Sequence, residues 1–271
     1  MNERCKTHQE NAEALETDNP NSAFESYKNA ARCFIKSNDA KQASKCLEKA
    51  VKILKNTEGS ENDAFQLLEK YKGVSEIYKL LGKQSESEKL MKSFYKKLVD
   101  DVKTIRTEVK GAEDPYASEK KLKLAAAYAK AANDDALRNA CWVDVGDKFR
   151  KKAAKITNPR QALELYLQAA RRYSKGENEK LLNEMYLEAA LNFVKRGNQV
   201  EKSKKDFILA IDNYQQAAIL YEWVDNRKEE EKLTKKIEEL CEIIGIPKEH
   251  IFDYLEKELG LYRVILDLVQ T

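Results

Sequence analysis

The stretch that decides the fold is "WVDVGDKFRKKAAKITNPRQALELYLQAARRY", which runs from Trp142 to Tyr173. Apolar residues recur at helical spacing on both sides of the break at Asn158-Pro159, so the stretch predicts two helices joined by a turn. Gly146 lies inside the first helix, although alanine there would favour the helix by roughly 1 kcal/mol. We infer that another backbone approaches position 146 so closely that no side chain fits.

The order of small and large residues in this stretch follows a repeat signature. Trp142-x-x-Val145-Gly146-x-x-Phe149 on the first helix precedes Ala162-x-x-x-Tyr166-x-x-Ala169 on the second. This matches the tetratricopeptide (TPR) pattern W-x₂-L-G-x₂-Y followed by A-x₃-F. The template also fits two other segments, at Ala31, Ala43 and Ala50 and at Ala190, Ala210, Tyr214 and Ala217. Residues 71–94 fit more loosely, and residues 117–141 predict a further helix pair with a blurred register.

Helix boundaries are marked by proline and glycine. Asn19-Pro20, Asp114-Pro115 and Asn158-Pro159 each place a good N-cap residue before a proline at the first helical position. Seven of the nine glycines, including Gly197, are expected between helices, and only Gly73 and Gly146 inside one. The chain therefore predicts about a dozen helices and no strand.

The helix pairs look longer than TPR units. The interval from the small residue of one helix to the alanine of the next is 12 residues at Ala31, 16 at Gly146 and 20 at Ala190. In the consensus unit of 34 residues the two helices meet across a tight turn, so these intervals indicate that the helices or their turns are extended. Long-helix units of this kind resemble the soluble NSF attachment protein (SNAP) family. The likeness is clearest in "QALELYLQAARRYSKG", "MYLEAALNFVKRG" and "FILAIDNYQQAAILYE", and it covers about residues 20–225.

We therefore expect an all-α fold, a right-handed TPR-like α-solenoid of antiparallel helix pairs with lengthened helices. The solenoid should occupy residues 1–245. The apolar stripe in residues 246–271 predicts a C-terminal helical cap, because the last repeat of a solenoid exposes an apolar face. Docking of a partner or of a second copy of the chain is the alternative role for this segment.

The resemblance implies an adaptor function. SNAP-like proteins lie along a bundle of SNARE helices, recruit a ring-shaped AAA-type ATPase, and touch membranes with an apolar loop near the N-terminus. Here the corresponding loop, "ETDNPNS", is polar, and the chain ends in "LYRVILDLVQT" instead of an acidic tail that carries Leu. The adaptor role carries over, with membrane contact at most peripheral, whereas stimulation of the ATPase does not.

The expected binding surface is the concave face, which is lined mainly by the first helix of each pair. The basic residues that the template places there are Lys28, Arg32, Lys36, Lys72, Lys79, Arg150, Lys151 and Lys195. We expect them to form a basic groove that binds an acidic helical partner such as a SNARE-type bundle. The alternative is that these are ordinary solvated surface charges.

Other functions have less support. The 49 basic and 46 acidic residues nearly cancel, which argues against a nucleic-acid-binding solenoid, the alternative suggested by "KFRKKAAK". A general TPR scaffold or a co-chaperone is a further alternative. Because the two histidines, His8 and His250, lie far apart and no catalytic or nucleotide-binding motif occurs, we expect no enzyme, metal, cofactor or small-molecule substrate.

The compartment is inferred from the cysteines and the hydropathy pattern. Five scattered cysteines without a CxxC pair predict reduced thiols in a cytoplasmic protein. The polar N-terminal stretch does not resemble a signal peptide, and no apolar run reaches the roughly 18 residues of a membrane span. We therefore expect a soluble protein.

Overall fold

The computed structural model describes residues 2–57, 64–203, 206–247 and 250–251, and within them it contains helices and no strand. The helices are α1 Asn2–Leu15, α2 Pro20–Lys36, α3 Ala40–Thr57, α4 Ala64–Leu80, α5 Gln84–Lys110, α6 Pro115–Ala131, α7 Asp135–Ala153, α8 Pro159–Lys175, α9 Glu179–Ser203, α10 Phe207–Trp223 and α11 Arg227–Ile244. The predicted all-α class is confirmed. The predicted cap, residues 246–271, lies almost entirely outside the described residues.

Three helices begin where the proline pairs predicted. Asn19 Oδ1 accepts a hydrogen bond from the Ser22 N–H at the start of α2, and Asn158 Oδ1 accepts one from the Arg160 N–H at the start of α8. Asp114 caps α6 in the same manner. Proline at the next position loses nothing, because the N–H groups of a first helical turn have no partner within the helix.

The same tight turn ends each even-numbered helix from α2 to α10. Its central residue has a left-handed backbone, with φ between 52° and 71°. These central residues are Asn38, Gly82, Asn133, Glu177 and Asp225. In all five turns the N–H of the next residue donates to a carbonyl five positions back at 2.9 Å. Five hairpins therefore share one connection, and they are α2–α3, α4–α5, α6–α7, α8–α9 and α10–α11.

The positions of these turns show which consecutive helices form a hairpin, and they differ in part from the predicted pairing. The sequence template pairs α2 with α3, in agreement with the hairpins, but it also pairs α7 with α8 and α9 with α10. The hairpins instead join α8 to α9 and α10 to α11. The interval of 12 residues spans one of these tight turns, whereas the intervals of 16 and 20 span the connections that precede α8 and α10. The helix pair expected in residues 117–141 consists of α6 and the start of α7.

The chain divides into two compact units, residues 1–108 with 124–138 and residues 109–123 with 139–271. In unit 1, α2 packs against α1, α3 and α4. Tyr27 and Phe34 of α2 are fully buried, and Tyr71 of α4 stacks on Phe94 of α5 with 4.1 Å between ring centroids. Aromatic rings thus fill the space between the helices of this unit.

In unit 2, α9 packs on α8 and α10, and α10 packs on α11. Ion pairs also join each helix to its second neighbour. The Arg160 guanidinium of α8 lies 2.8 Å from the Asp212 carboxylate of α10, and the Lys236 ammonium of α11 lies 2.7 Å from the Glu201 carboxylate of α9. Alternate helices of unit 2 therefore lie side by side.

Two buried glycines face tyrosine rings. A Cβ atom at Gly146 would lie 2.6 Å from Cε1 of Tyr173, so the group that approaches this glycine is a side chain and not the expected backbone. Gly197, which the sequence placed between helices, lies inside α9, and its Cβ would lie 2.6 Å from Cε1 of Tyr214. Each tyrosine hydroxyl also donates to the residue that follows the glycine, Asp147 at 2.7 Å or Asn198 at 2.8 Å. Unit 2 thus contains two copies of one packing motif.

The other template positions lie mostly in the helix contacts. The buried ones are Ala31, Ala43, Ala50, Phe149, Ala162, Tyr166, Ala169, Ala190, Ala210, Tyr214 and Ala217. Trp142 is only partly buried, and the Lys175 ammonium lies 5.0 Å from its ring centroid. Small side chains at these crossings allow neighbouring helices to approach closely.

The cysteines differ from the prediction. Cys5 of α1 and Cys33 of α2 form a disulfide, so the expectation of five reduced thiols is wrong for these two. Cys46, Cys141 and Cys241 are buried and are not disulfide-bonded. Spacing along the chain could not reveal the pair, because it is the packing of α1 on α2 that brings the two sulfurs together.

Candidate protein-binding site

The eight basic residues that the sequence assigned to the binding face are divided between the two units. Unit 1 contains Lys28, Arg32, Lys36, Lys72 and Lys79, and unit 2 contains Arg150, Lys151 and Lys195. Their charges are available to a partner to very different degrees, so each set is described separately.

In unit 1, a cleft of about 620 Å³ between α2 and α4 contains acidic as well as basic side chains. Three of the predicted cations are bound to a glutamate there. The ion pairs are Lys28–Glu25 at 2.5 Å, Arg32–Glu76 at 3.1 Å and Lys72–Glu69 at 3.0 Å. Lys36 and Lys79 have no ion-pair partner among the described residues. The cleft of unit 1 is therefore mixed in charge, and the basic groove stays a prediction.

In unit 2, Arg150 of α7 is bound to two carboxylates of α9, those of Glu184 and Glu188. The hydrogen bond to Glu188 raises the pKa of Arg150. Burial, together with the hydrogen bond to Asp147, raises the pKa of the neighbouring Tyr173. The Arg150 guanidinium thus joins two helices, and only 22% of its side chain is exposed.

Lys151 and Lys195 are exposed and have no ion-pair partner in the described part of the chain. Lys195 lines a second cleft, of about 680 Å³, which lies between the α7–α8 connection, the second half of α9 and the start of α10. Its cationic lining residues are Arg160, Lys195 and Arg196, and none of its described lining residues is acidic. We call this site the basic cleft.

Buried polar groups hold one wall of the basic cleft in place. Arg160 Nη2 donates to Oδ2 of Asp212, whose side chain is only 1% exposed. Burial raises the pKa of Asp212, and the hydrogen bond from Arg160 opposes this shift. The side chain of Asn192 donates to the Tyr166 hydroxyl at 3.2 Å. The buried Asp212 therefore holds the side chain of Arg160 in place. Arg160 also lies at the positively polarised N-terminus of α8.

Apolar side chains lie in and beside the basic cleft. Ile156 and Leu209 are among its lining residues. Leu191 lies one helical turn before Lys195 on α9 and is 57% exposed. The surface thus combines cations with apolar contacts, as protein-binding surfaces commonly do.

A third cleft, of about 610 Å³, also lies in unit 2, but two of its cations, Arg172 and Lys123, are bound to Glu119 within the protein. Arg172 donates to Glu119 at 2.8 and 3.1 Å, and its guanidinium lies 5.0 Å from the ring centroid of Phe149. Burial tends to raise the pKa of Glu119, but hydrogen bonds from Arg172 and Lys123 outweigh it and lower that pKa. This arrangement joins α6 to α8.

Sequence reasoning included Lys195 among the candidates but missed Arg160 and Arg196. The doublet Lys195-Arg196 and the arginine after Pro159 are visible in the sequence. What could not be seen is that the start of α8 and the second half of α9 line the same cleft, because the template assigned these helices to different repeats.

The described residues contain no group of three His, Cys, Asp or Glu side chains that could hold a metal ion. Among the described helices, none combines the length and the apolar character that a membrane crossing requires. No protein-family model matches the chain, and no curated protein matches it either. What this chain binds is therefore inferred from the charge and shape of its own surfaces.

Proposed function

We propose that the protein is a non-enzymatic adaptor, a right-handed TPR-like α-solenoid that binds an acidic helical partner. The observation that supports this most is the repeated hairpin, with the same turn at Asn38, Gly82, Asn133, Glu177 and Asp225. Repeated helix pairs in which each pair packs on the next are typical of solenoid proteins, whose common role is to present an extended surface to another protein.

The charges and apolar residues on the surface support an acidic, amphipathic partner. Lys36, Lys79, Lys151 and Lys195 have no ion-pair partner among the described residues. Leu80 and Leu191, which lie one residue after Lys79 and four before Lys195, are 64% and 57% exposed. A helical partner with glutamates beside leucines would complement both features.

The lengths of the helices support the resemblance to the SNAP family. α5 has 27 residues and α9 has 25, whereas a whole TPR unit of two helices has 34. On this resemblance we propose a SNARE-type helical bundle as the partner, in vesicle traffic or membrane fusion, at a cytoplasmic location peripheral to membranes. An AAA-type ATPase is a further proposed partner on the same ground.

The test is retention of a SNARE-type four-helix bundle on the immobilised full-length chain. We expect retention at about 0.05 M salt that is lost towards about 0.5 M, since salt screens interactions between exposed charges. A coiled coil of equal length with a neutral surface is the matched control. Equal retention of both bundles, or no retention of the acidic bundle at low salt, would contradict the proposal. An oligonucleotide that binds more tightly than the bundle would favour nucleic acid instead.

A further inference from the structure

We infer that the basic cleft of unit 2 is a binding site for a short acidic peptide segment with adjacent Asp or Glu carboxylates. This inference rests on the proposed adaptor function, and it assigns a specific ligand class to one site. It also assigns Arg160 and Arg196 as binding residues. Neither was among the candidates from the sequence.

The charge of the basic cleft suits an acidic ligand. Three cationic side chains line it, of which Arg160 is paired with Asp212 behind it, and no acidic side chain is among its described lining residues. Lys195 and Arg196 lie on the exposed side of α9 without an ion-pair partner in the described residues, unlike Arg150 and Arg172 of the same unit. An arginine fork matches a carboxylate in a bidentate manner, and a lysine supplies a mobile point charge beside it.

Arg160 of the basic cleft is held in place before a ligand binds. Arg160 is fixed by the buried Asp212 at 2.8 Å, and Asn158 holds the first turn of α8 through hydrogen bonds from the N–H groups of Arg160 and Gln161. A ligand carboxylate would therefore meet a cation that is already ordered, so less conformational entropy is lost when it binds. The N-terminus of α8 adds a favourable dipole at the same place.

The size of the basic cleft suits a short ligand. A volume of about 680 Å³ lies in the range of roughly 300–1,000 Å³ that is typical of ligand pockets. A stable interface with a folded protein buries about 800 Å² on each partner, which is more than such a cleft supplies. A short segment of chain therefore fits the cleft better than a long helix face does.

The lining of the basic cleft is a mixture of polar and apolar side chains. Ile156 and Leu209 line the basic cleft, and Leu191 is exposed beside it. A peptide with apolar residues next to its carboxylates would use both kinds of contact. Proteins that bind single-stranded nucleic acid commonly stack its bases on aromatic side chains, and no aromatic residue is among the described lining residues.

The test uses fluorescence anisotropy with the 271-residue chain and the peptide Leu-Asp-Glu-Asp-Leu-amide, which carries fluorescein on its N-terminus in place of a free amine. The control peptide replaces its acids by Asn and Gln. We expect the acidic peptide to bind at least about tenfold more tightly than the control peptide. Inorganic phosphate and an oligonucleotide serve as competitors, and we expect neither to displace the peptide at equal charge concentration.

The decisive variant is Lys195→Glu with Arg196→Glu, which we expect to weaken peptide binding by about tenfold. Lys180→Glu with Lys202→Glu is the matched control, because both of these lysines are exposed on the same helix, neither lines the cleft, and the change in net charge is the same. The control variant should bind like the unchanged protein. Lys195→Gln with Arg196→Gln provides a second, milder variant, and circular dichroism checks that all variants fold.

Equal weakening by both charge-reversing pairs would overturn the inference, because the effect would then be one of net charge. Binding that no cleft variant alters, or displacement by phosphate or oligonucleotide, would overturn it as well. If the unchanged protein retains the helical bundle but not the peptide, only this inference fails. If it retains neither, the proposed function fails with it.

Discussion

Replacement of Gly146 by alanine tests the packing on which the helical stack of unit 2 depends. The new Cβ would lie 2.6, 2.8 and 3.1 Å from three atoms of the Tyr173 ring, whereas ordinary contact begins at 3.4 Å. Tyr173 is fully buried, and its hydroxyl is bound to Asp147. The ring therefore has to move by about 0.8 Å, the difference between 3.4 and 2.6 Å, within a close-packed environment.

The expected loss of stability follows from two opposing effects. Overpacking of a core costs about 1–3 kcal/mol, and a ring fixed at its hydroxyl places this site near the upper end. Alanine restores about 1 kcal/mol of helix propensity. We therefore expect Gly146→Ala to lower the free energy of unfolding by about 2 kcal/mol.

The assay is urea denaturation followed by circular dichroism and by tryptophan fluorescence. Both tryptophans, Trp142 and Trp223, belong to unit 2, so their fluorescence reports the unit that contains Gly146. Gly73 of α4 provides the control, since a Cβ there would meet only the side chain of Lys28, with Cδ at 3.4 Å and Nζ at 4.0 Å, both ordinary contact distances. Gly73→Ala should raise stability by up to about 1 kcal/mol. If Gly146→Ala is as stable as the unchanged protein, or changes stability as Gly73→Ala does, the packing argument is refuted.

Three further predictions follow from other contacts. Gly197→Ala should lower the free energy of unfolding by about 2 kcal/mol, because the new Cβ would clash with the ring of Tyr214. Urea denaturation measures this, and a gain in stability would contradict the second copy of the packing motif. Cys33→Ser should lower stability by about 3 kcal/mol, because the disulfide closes a sequence separation of 28 residues. Thiol titration of the unreduced, denatured protein should find three of the five cysteines reactive, and five would show that the bond is absent. Glu119→Gln should lower the free energy of unfolding by about 2 kcal/mol at neutral pH, because it weakens the hydrogen bonds from Arg172. Because the folded-state pKa of Glu119 is lowered, its stabilisation is present above the ordinary value of 4.5 and is lost as the pH falls below it. The gap in stability between the variant and the unchanged protein should therefore narrow in acid, and a constant gap would refute the assigned role of the pair.

The helices and several of their boundaries could be predicted because the relevant physics is local. An Asn-Pro pair caps a helix through hydrogen bonds to the next few residues, as Asn19 and Asn158 do. Gly146 could also be recognised in the sequence as a site of close packing, because a glycine inside a helix weakens it and is therefore expected where a side chain does not fit. The identity of the neighbour, Tyr173, depends on how two helices pack, and the sequence does not show that directly.

The sequence did not show which consecutive helices form a hairpin, because small residues mark the contacts within a hairpin and the contacts between hairpins alike. A local signal for the turns was nonetheless present. Asn38-Asp39 and Asn133-Asp134 each combine a residue that tolerates a left-handed backbone with an N-cap residue for the next helix. Glu177 adopts the same backbone with a side chain that seldom does, so the pattern is not uniform in composition.

The sequence shows where cations are frequent, but it does not show how their charges are paired. Arg32 and Arg150 look like surface cations in the sequence, yet their carboxylate partners lie 44 and 38 residues away. Such pairs depend on which helices lie side by side, so they follow from the fold and not from local spacing. The same holds for the disulfide between Cys5 and Cys33, which are 28 residues apart.

The arginines that join alternate helices indicate where a partner can bind. Arg32, Arg150, Arg160 and Arg172 each donate to a carboxylate on the second-neighbour helix, so part of their hydrogen-bonding capacity is used within the fold. Arg196 differs from them, because it is exposed, lines the basic cleft and has no carboxylate partner among the described residues. A planar fork of five donors gains most from a bidentate carboxylate. Within unit 2, Arg196 is therefore the arginine whose replacement should weaken binding of an acidic partner without loosening the helices, whereas replacement of Arg150 should do both.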